Sequence, residues 1–502
     1  MIYTLPTIFP AVFQAFVLMQ PLAIAAPRAA TQPARAPELP LLSMVMIDDQ
    51  LRARPIALQR LSPGALGRIG AGEIVFFEPN AGVNGDGGGT PVRSTLPLDK
   101  VLALTQPGWI IEPLVAQPTP SVTASQATNP PAKASPNPGR RAAVRVTTDQ
   151  RRSEDDLANF SAPSVFHSWV QLVDGQRIAG APDQPEPGSG KNSDGQILNW
   201  SSPLLGVRPL NLDNIARIAL LPADAVMRKG PTASDVVILA NGDRLTGFVE
   251  SLGGTVVIAP ASTTAPDKLA KSSLPIGQIA EIELSNPARP LRGIAAWLND
   301  GSLIAVPGIA IDSATRRITL EGPSPQPTPK ESSSLPGESI SFSTAELRAV
   351  VFAAERVLPL AAIPIAEQRA APGRRTLYAV ETRTLGTALG SDLGADDLIL
   401  PGPMTVEWPL PESAVRIGGW VALEERSWAW GDCLVTLSVV PGNMIVATGR
   451  LNAQSPVIAV NADLGRLGPG ARLRATVEPG EHGSIQDRVL LRRMLLQINT
   501  NN

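Results

Sequence analysis

Apolar and polar residues alternate in short runs along most of this chain. In "DCLVTLSVV", Cys433, Val435, Leu437 and Val439 fall on one side; in "ARLRATVEPG", Leu473, Ala475 and Val477 point one way while Arg472, Arg474, Thr476 and Glu478 point the other. A period of two over seven or eight residues predicts strands with one buried face. Further strands are predicted at "MTVEWPL", "AVRIGGWVAL", "MIVATGRL", "SPVIAVNAD" and "VLLRRMLLQI", which together make a sandwich of antiparallel sheets over the last quarter of the chain.

Upstream, a turn phrase recurs. "DGQRIAG" begins at Asp174, "NGDRLTG" at Asn241 and "DGSLIAV" at Asp300. Each is followed by a closing phrase: "LNLDNIARIAL" at 210–220, "LPIGQIAEIEL" at 274–284 and "ISFSTAELRAVVF" at 340–352. A weaker copy without the glycine pairs "MVMIDDQLRARPI" (44–56) with "STLPLDKVLALT" (94–105), so four units of about 50–70 residues repeat. An Asn-Gly or Asp-Gly pair between apolar residues predicts a tight hairpin with both central residues at positive φ. Asp174 and Asp300 occupy backbone-determined turn positions, with Asn241 in the equivalent place, and no nucleophile or histidine recurs beside them. "STAE" (Ser343–Glu346) fits a capping box on a one-turn helix.

The repeat resembles the Sm-like small β-barrel. The residues that carry the resemblance are Asp174, Gly175 and Gly180 with Ile215 and Ile218; Asn241, Gly242 and Gly247 with Ile279 and Ile282; and Asp300 and Gly301 with Leu347 and Val350. It implies five-strand units that curl or pack on a neighbour to bury enough surface.

The terminal region resembles the novel putative carbohydrate-binding module, a jelly-roll attached to secreted glycoside hydrolases. Matching stretches are Trp408 to Leu410, Gly419 to Leu423, Val435 to Val439, Val460 to Leu464, and Leu473 to Val477 with Asp487. Two departures stand out: Asp487 is followed by Arg-Val-Leu-Leu where the family has an aromatic, and the family's Gly-rich opening is only echoed by "TLGTALGS" (384–391). The resemblance implies sugar binding, which needs an exposed aromatic face against a pyranose and polar groups for its hydroxyls. Trp428 and Trp430, two apart in "RSWAWGD", lie beside Asp432, and the loop bearing His482 and Asp487 approaches the same rim in a jelly-roll. These five residues are the candidate ligand-binding set; the competing reading has one or both tryptophans plugging the end of the sandwich. Trp408 and Trp420, set among aliphatics, are expected in the core.

Composition sharpens this picture. The 502 residues carry 50 Pro and 43 Gly, 18% charged and 4% aromatic residues, in keeping with short strands, turns and spacers. A net charge of −2 supplies no counterion-release drive toward nucleic acid. Cys433 is the only cysteine and His167 and His482 the only histidines, which excludes intrachain disulfides, a cysteine-built zinc site and a multi-histidine centre. No cofactor is implied, and no Asp/Glu pair is ranked for hydrolysis.

The expected layout is a signal peptide or uncleaved anchor at 1–26, ending in Ala23-Ile24-Ala25, then unit 1 at 41–113 and a linker at 114–162. Units 2, 3 and 4 follow at 163–225, 233–290 and 291–358, with loops at 181–195 and 322–337, and the sandwich occupies 373–500. The fold class is therefore all-β: tandem small barrels followed by a jelly-roll sandwich. The whole texture resembles exported proteins of planctomycete-type bacteria. Two functions follow. One is a non-catalytic periplasmic or cell-surface protein that binds a carbohydrate or cell-envelope polymer, touching the membrane only through its leader. The other is an envelope scaffold assembling with protein partners through β edges, without sugar binding.

Overall fold

A computed structural model describes residues 41–62, 72–78, 92–110, 168–183, 196–221, 233–260, 271–321, 339–374, 377–387, 390–427, 430–481, 483 and 486–500. The expected leader, the 114–162 linker, the loop at 322–337 and most of that at 181–195 lie outside the described residues. Within them the chain is all-β: antiparallel strands joined by turns and one-turn 3-10 segments, with no α-helix.

Four units share one pairing order. In unit 1 the strands are Leu42–Asp48, Ala53–Ser62, Glu73–Glu78, Val92–Pro97 and Val101–Thr105; the first four pair in sequence, and the fifth pairs back with the first. Unit 3 repeats this with Asp235–Leu239, Arg244–Ser251, Thr255–Pro260, Ser272–Pro275 and Ile279–Glu283. In unit 2 the second strand breaks at Gly180, between Arg177–Ala179 and Ala181–Pro182, and in unit 4 it breaks at Pro307, between Leu303–Val306 and Gly308–Asp312. Gly180 has a packing reason: a Cβ there would lie 2.1 Å from the Ser201 carbonyl oxygen and 2.8 Å from Trp200 Nε1.

The closing phrases explain the returns. Each fifth strand follows a 3-10 turn, at Leu98–Lys100, Leu212–Asn214, Ile276–Gln278 and Thr344–Glu346. The fourth and fifth strands both run antiparallel to the first, so this turn bends the chain without reversing it and carries the apolar pair three apart back beside the first strand. One bond recurs in every unit, from a hairpin N–H to the last carbonyl of this turn: Asp49 to Lys100, Val173 to Asn214, Ala240 to Gln278 and Asn299 to Glu346. The Ser343 hydroxyl accepts from the Ala345 N–H, one residue earlier than a capping box requires.

The hairpins differ from the expected form. Only the glycine is left-handed, at φ 91 in Gly175, 90 in Gly242 and 93 in Gly301. Gly175 N–H donates to the Leu172 carbonyl while Leu172 N–H donates to Gln176, which makes a three-residue loop with a glycine bulge. The acid or amide before the glycine accepts the N–H two residues on: Gln176 to Asp174, Asp243 to Asn241 and Ser302 to Asp300. A side chain that makes its own turn bond removes the need for a second left-handed residue. In unit 1 the same loop closes on Asp48, and Leu51 takes the glycine's place at φ 58.

The units are welded to one another. The fifth strands of units 2 and 3 pair with Ile218 opposite Ile282, and those of units 4 and 1 with Val350 opposite Leu104. Leu303 of unit 4 also pairs with Arg177 of unit 2, and Ile311 of unit 4 with Leu61 of unit 1. A single hydrophobic core runs through all four. With each fully buried Leu or Ile contributing about 1.5–3 kcal/mol, this shared interior rather than any one small unit supplies the stability.

The terminal sandwich packs two sheets. One is ordered Glu381–Arg383, Asp397–Pro401, Arg488–Ile498, Ala414–Leu423, Val457–Asp463; the other is ordered Glu367–Ala370, Met404–Pro409, Arg472–Pro479, Cys433–Val440, Met444–Leu451. Val357–Pro359 also pairs with Arg488–Ile498, so the sheets draw in residues well before 373. Cys433, Val435, Leu437 and Val439 lie inside, as do Leu473, Ala475 and Val477, and Trp408 is fully buried. Unit 1 abuts this sandwich: Leu51 packs on Gly418, and Asn461 Nδ2 donates to the Gln50 carbonyl at 2.8 Å. Arg348 of unit 4 pairs with Asp392 at 2.8 Å across the same junction.

Candidate functional site

The rim singled out by the sequence forms where the 3-10 turn Glu425–Ser427 hands over to the strand Cys433–Val440. Two N–H groups, of Trp430 and Gly431, converge on the Ser427 carbonyl. Gly431 has no room for a side chain: a Cβ would lie 2.7 Å from that carbonyl oxygen and 2.9 Å from the one of Gln486. Held this way, the Trp430 side chain stands out from the surface and is 66% exposed.

Asp432 points inward and is 3% exposed. Its carboxylate takes a two-pronged contact from Arg450, Nε to Oδ1 at 2.5 Å and Nη2 to Oδ2 at 2.6 Å, and accepts the Glu481 N–H at 2.8 Å. Gly480 closes over it, donating to the Asp432 carbonyl at 2.7 Å. A Cβ on Gly480 would come within 2.4 Å of that carboxylate. Arg450 Nη1 then reaches Glu481 Oε1 at 3.0 Å, with the two side chains 45% and 74% exposed. The fork geometry is the strong form of a charge-assisted contact, and it holds the Arg450 pKa above its ordinary value, through Asp432 first and Glu481 second.

Asp487 is 2% exposed. Its Oδ1 accepts the Asp432 N–H at 3.4 Å, while Oδ2 is buried without a hydrogen-bond partner. Burial pushes its carboxyl up to about 6; the Asp432 N–H opposes this, the Asp432 carboxylate adds to it and Arg374 opposes it. The neighbouring Cys433 thiol is pushed up to about 12 by burial, then by Asp487 and Asp432, so it is an inert buried group.

Of the five sequence candidates, the structure brings Trp430, Asp432 and Asp487 to one rim; Trp428 and His482 lie outside the described residues. Trp430 faces outward, whereas the two carboxylates are spent on holding the rim together. Arg450 and Glu481 were missed by sequence reasoning. Hairpin register could have found Arg450, which stands opposite Leu434, next to the Asp432 end of the strand; Glu481 lies outside that hairpin.

A second concavity, of about 530 Å³, lies on the outer face of the sheet containing Met404–Pro409 and is lined by Glu367, Arg369, Glu407, Arg472 and Arg474. Its arginines are paired with its glutamates: Arg474 and Arg472 contact Glu407 at 2.8 and 3.1 Å. Burial raises the Glu407 pKa, but the hydrogen bonds and charges of Arg474 and Arg472 outweigh it and hold the group below its ordinary value. Among the described residues, no three His, Cys, Asp or Glu side chains are grouped to hold a metal ion.

No family model matches this chain, and no curated protein does. Among solved structures, the chain is similar to the CBM51 carbohydrate-binding module from Clostridium perfringens GH95 in complex with methyl-galactose, at 11% identity and TM-score 0.22, over 28% of this chain and 99% of that one. It is similar to the CBM51-2, in complex with GlcNAc, and INT domains of Clostridium perfringens ZmpB, at 10% identity and TM-score 0.22, over 36% of each chain. The tandem CBM51 modules of the Streptococcus pneumoniae SP3-BS71 family 98 glycoside hydrolase match at 10% identity and TM-score 0.23, over 68% of this chain and 80% of that one. At these TM-scores the reading of the site stands on its own geometry.

Proposed function

We propose that this chain is a non-catalytic binding protein whose terminal sandwich holds a glycan or cell-wall polysaccharide at the Trp430 rim. The observation that carries this reading is an indole 66% exposed two residues from Asp432, the carboxylate that anchors the Arg450–Glu481 pair. A large exposed aromatic supplies a flat apolar face for a pyranose, and the guanidinium and carboxylate next to it supply donors and acceptors for hydroxyls. Asp432 is a positioning residue: it fixes the Arg450 fork. Asp487 positions Asp432 through its backbone. Trp428 and His482 adjoin the same two loops in sequence and belong to the same proposal. The reading keeps the chain exported, its sandwich akin to the novel putative carbohydrate-binding module and its units akin to Sm-like barrels.

The scaffold alternative draws less support, because the fifth strands of the four units pair with one another inside the chain rather than standing open for partner strands. Retention of the full chain on insoluble cell-wall and plant polysaccharides tests the proposal. The unmutated protein is expected to be held by at least one polymer and Trp430→Ala to be released; no retention on any polymer overturns the reading.

A further inference from the structure

We propose that a separate pocket, of about 240 Å³ between unit 1 and the sandwich, binds a single acidic sugar residue, a pyranose ring bearing a carboxylate. Its lining includes Trp109, Trp420, Gly419 and Arg493, with Arg52 exposed to solvent. Three independent observations meet at Arg493.

The first is backbone. Opposite Gly419, the strand Arg488–Ile498 carries a bulge: Gly418 pairs with Leu495 and Trp420 with Arg492, so Arg493 and Met494 together face Gly419 alone. Arg493 adopts φ 49 there, a left-handed conformation unfavourable for a long side chain. A Cβ on Gly419 would meet Met494 Sδ at 2.7 Å and the Arg493 carbonyl oxygen at 3.0 Å, so the bulge depends on glycine. Bulges that re-aim one side chain, and strained residues whose surroundings hold them in place, gather at binding sites.

The second is charge. Arg348 pairs with Asp392 and Arg492 with Asp397, at 2.8 and 3.3 Å. Asp397 also accepts the Arg493 N–H, at 3.2 Å. Arg383 and Arg492 also reach Glu425, at 3.4 and 3.7 Å, so four arginines meet three carboxylates, and Nη1 of Arg493 is buried without a hydrogen-bond partner. Burial lowers its pKa to about 10, which leaves the guanidinium charged at neutral pH.

The third is shape. The Arg493 guanidinium lies 5.0 Å from the centre of the Trp109 ring, and Trp420, only partly buried, lines the same space. A planar guanidinium with an unpaired donor suits a carboxylate, and indoles in the lining suit the apolar face of a ring. The pocket sits at a junction between packed parts of the chain, where small-ligand sites concentrate. It does not depend on the Trp430 rim.

Titration of the full chain with sodium glucuronate, glucose and acetate, followed by tryptophan fluorescence and calorimetry, tests the proposal. Glucuronate is expected to bind saturably, with glucose and acetate each weaker by about tenfold or more. Arg493→Gln is expected to weaken glucuronate by about thirtyfold or more, and Arg52→Glu, at an exposed lining residue where folding is not at stake, by about tenfold. Trp430→Ala is expected to leave glucuronate binding unchanged, which separates this pocket from the rim. No saturable binding, glucose or acetate matching glucuronate, or unchanged affinity in Arg52→Glu would each overturn it.

Discussion

Leu51 of unit 1 and Gly418 of the sandwich fill each other's space: a Cβ on Gly418 would lie 2.7 Å from the Leu51 Cβ and 3.3 Å from its carbonyl oxygen. Leu51 is left-handed at φ 58 and 7% exposed, so a strained residue is held by burial against a residue with no side chain. Gly418→Ala is expected to cost about 1–3 kcal/mol through overpacking. Leu51→Ala removes the distal side-chain atoms but keeps the Cβ that Gly418→Ala meets. Adding it is expected to recover only part of that cost, so the double-mutant cycle in urea should show a coupling of at least about 0.5 kcal/mol.

Turn glycines with the same φ should not respond alike. Gly242, at φ 90, faces open space, so Gly242→Ala is expected to cost only the left-handed penalty of about 1 kcal/mol. At Gly175, φ 91, a Cβ would lie 2.3 Å from the Arg289 carbonyl oxygen. Gly175→Ala should therefore lower the thermal midpoint clearly further than Gly242→Ala. Equal shifts would mean that the Arg289 segment yields freely.

The contrast shows what the sequence revealed and what it hid. Alternation placed Val435, Leu437, Leu473 and Ala475 inside, and the pair three apart in each closing phrase marked the returning strand, because these signals arise within a few residues. The positive φ expected of Asp174 and Asp300 failed since the carboxylate's own bond to the N–H two residues on favours a longer loop. Pairing of Ile218 with Ile282 left no local trace, as an isoleucine serves a core equally well with or without a neighbouring unit. At the rim, exposure of Trp430 was one of two open readings. Arg450 is 18 residues from Asp432 and Glu481 a further loop away, so their convergence depends on tertiary pairing that periodicity does not encode.

The buried Asp487 makes stability fall as pH rises. Its folded pKa of about 6 stands above the ordinary 3.8, so the folded state binds more protons between these values and loses stability across that window. The gap between the two values bounds the loss at about 3 kcal/mol. Asp487→Asn keeps an oxygen for the Asp432 N–H without the charge. Its thermal midpoint is expected to exceed that of the unmutated protein above pH 6 and to converge with it near pH 4. A difference constant across pH 4–8 would assign the effect to packing instead.

Glu407 works with the opposite sign. Held below its ordinary 4.5 by Arg474 and Arg472 despite burial, it stabilises the fold above that value, and the benefit disappears as pH falls through its lowered folded pKa. Because both arginines are more than a third exposed, Glu407→Gln is expected to cost only about 1–2 kcal/mol at pH 7. Denaturant titrations at pH 7 and pH 3 should show that cost shrinking in acid.

The pairing of the first unit with the fourth sets a timetable for biosynthesis. Gln106, at the end of the strand Val101–Thr105, donates its side-chain amide to Leu347, 241 residues further on. A nascent chain that has completed its first unit therefore carries a bare sheet edge until the last unit leaves the ribosome, while the second and third can already clasp each other. At about 5–20 residues per second that wait lasts on the order of tens of seconds, during which the early edge is the part of the molecule most in need of a chaperone.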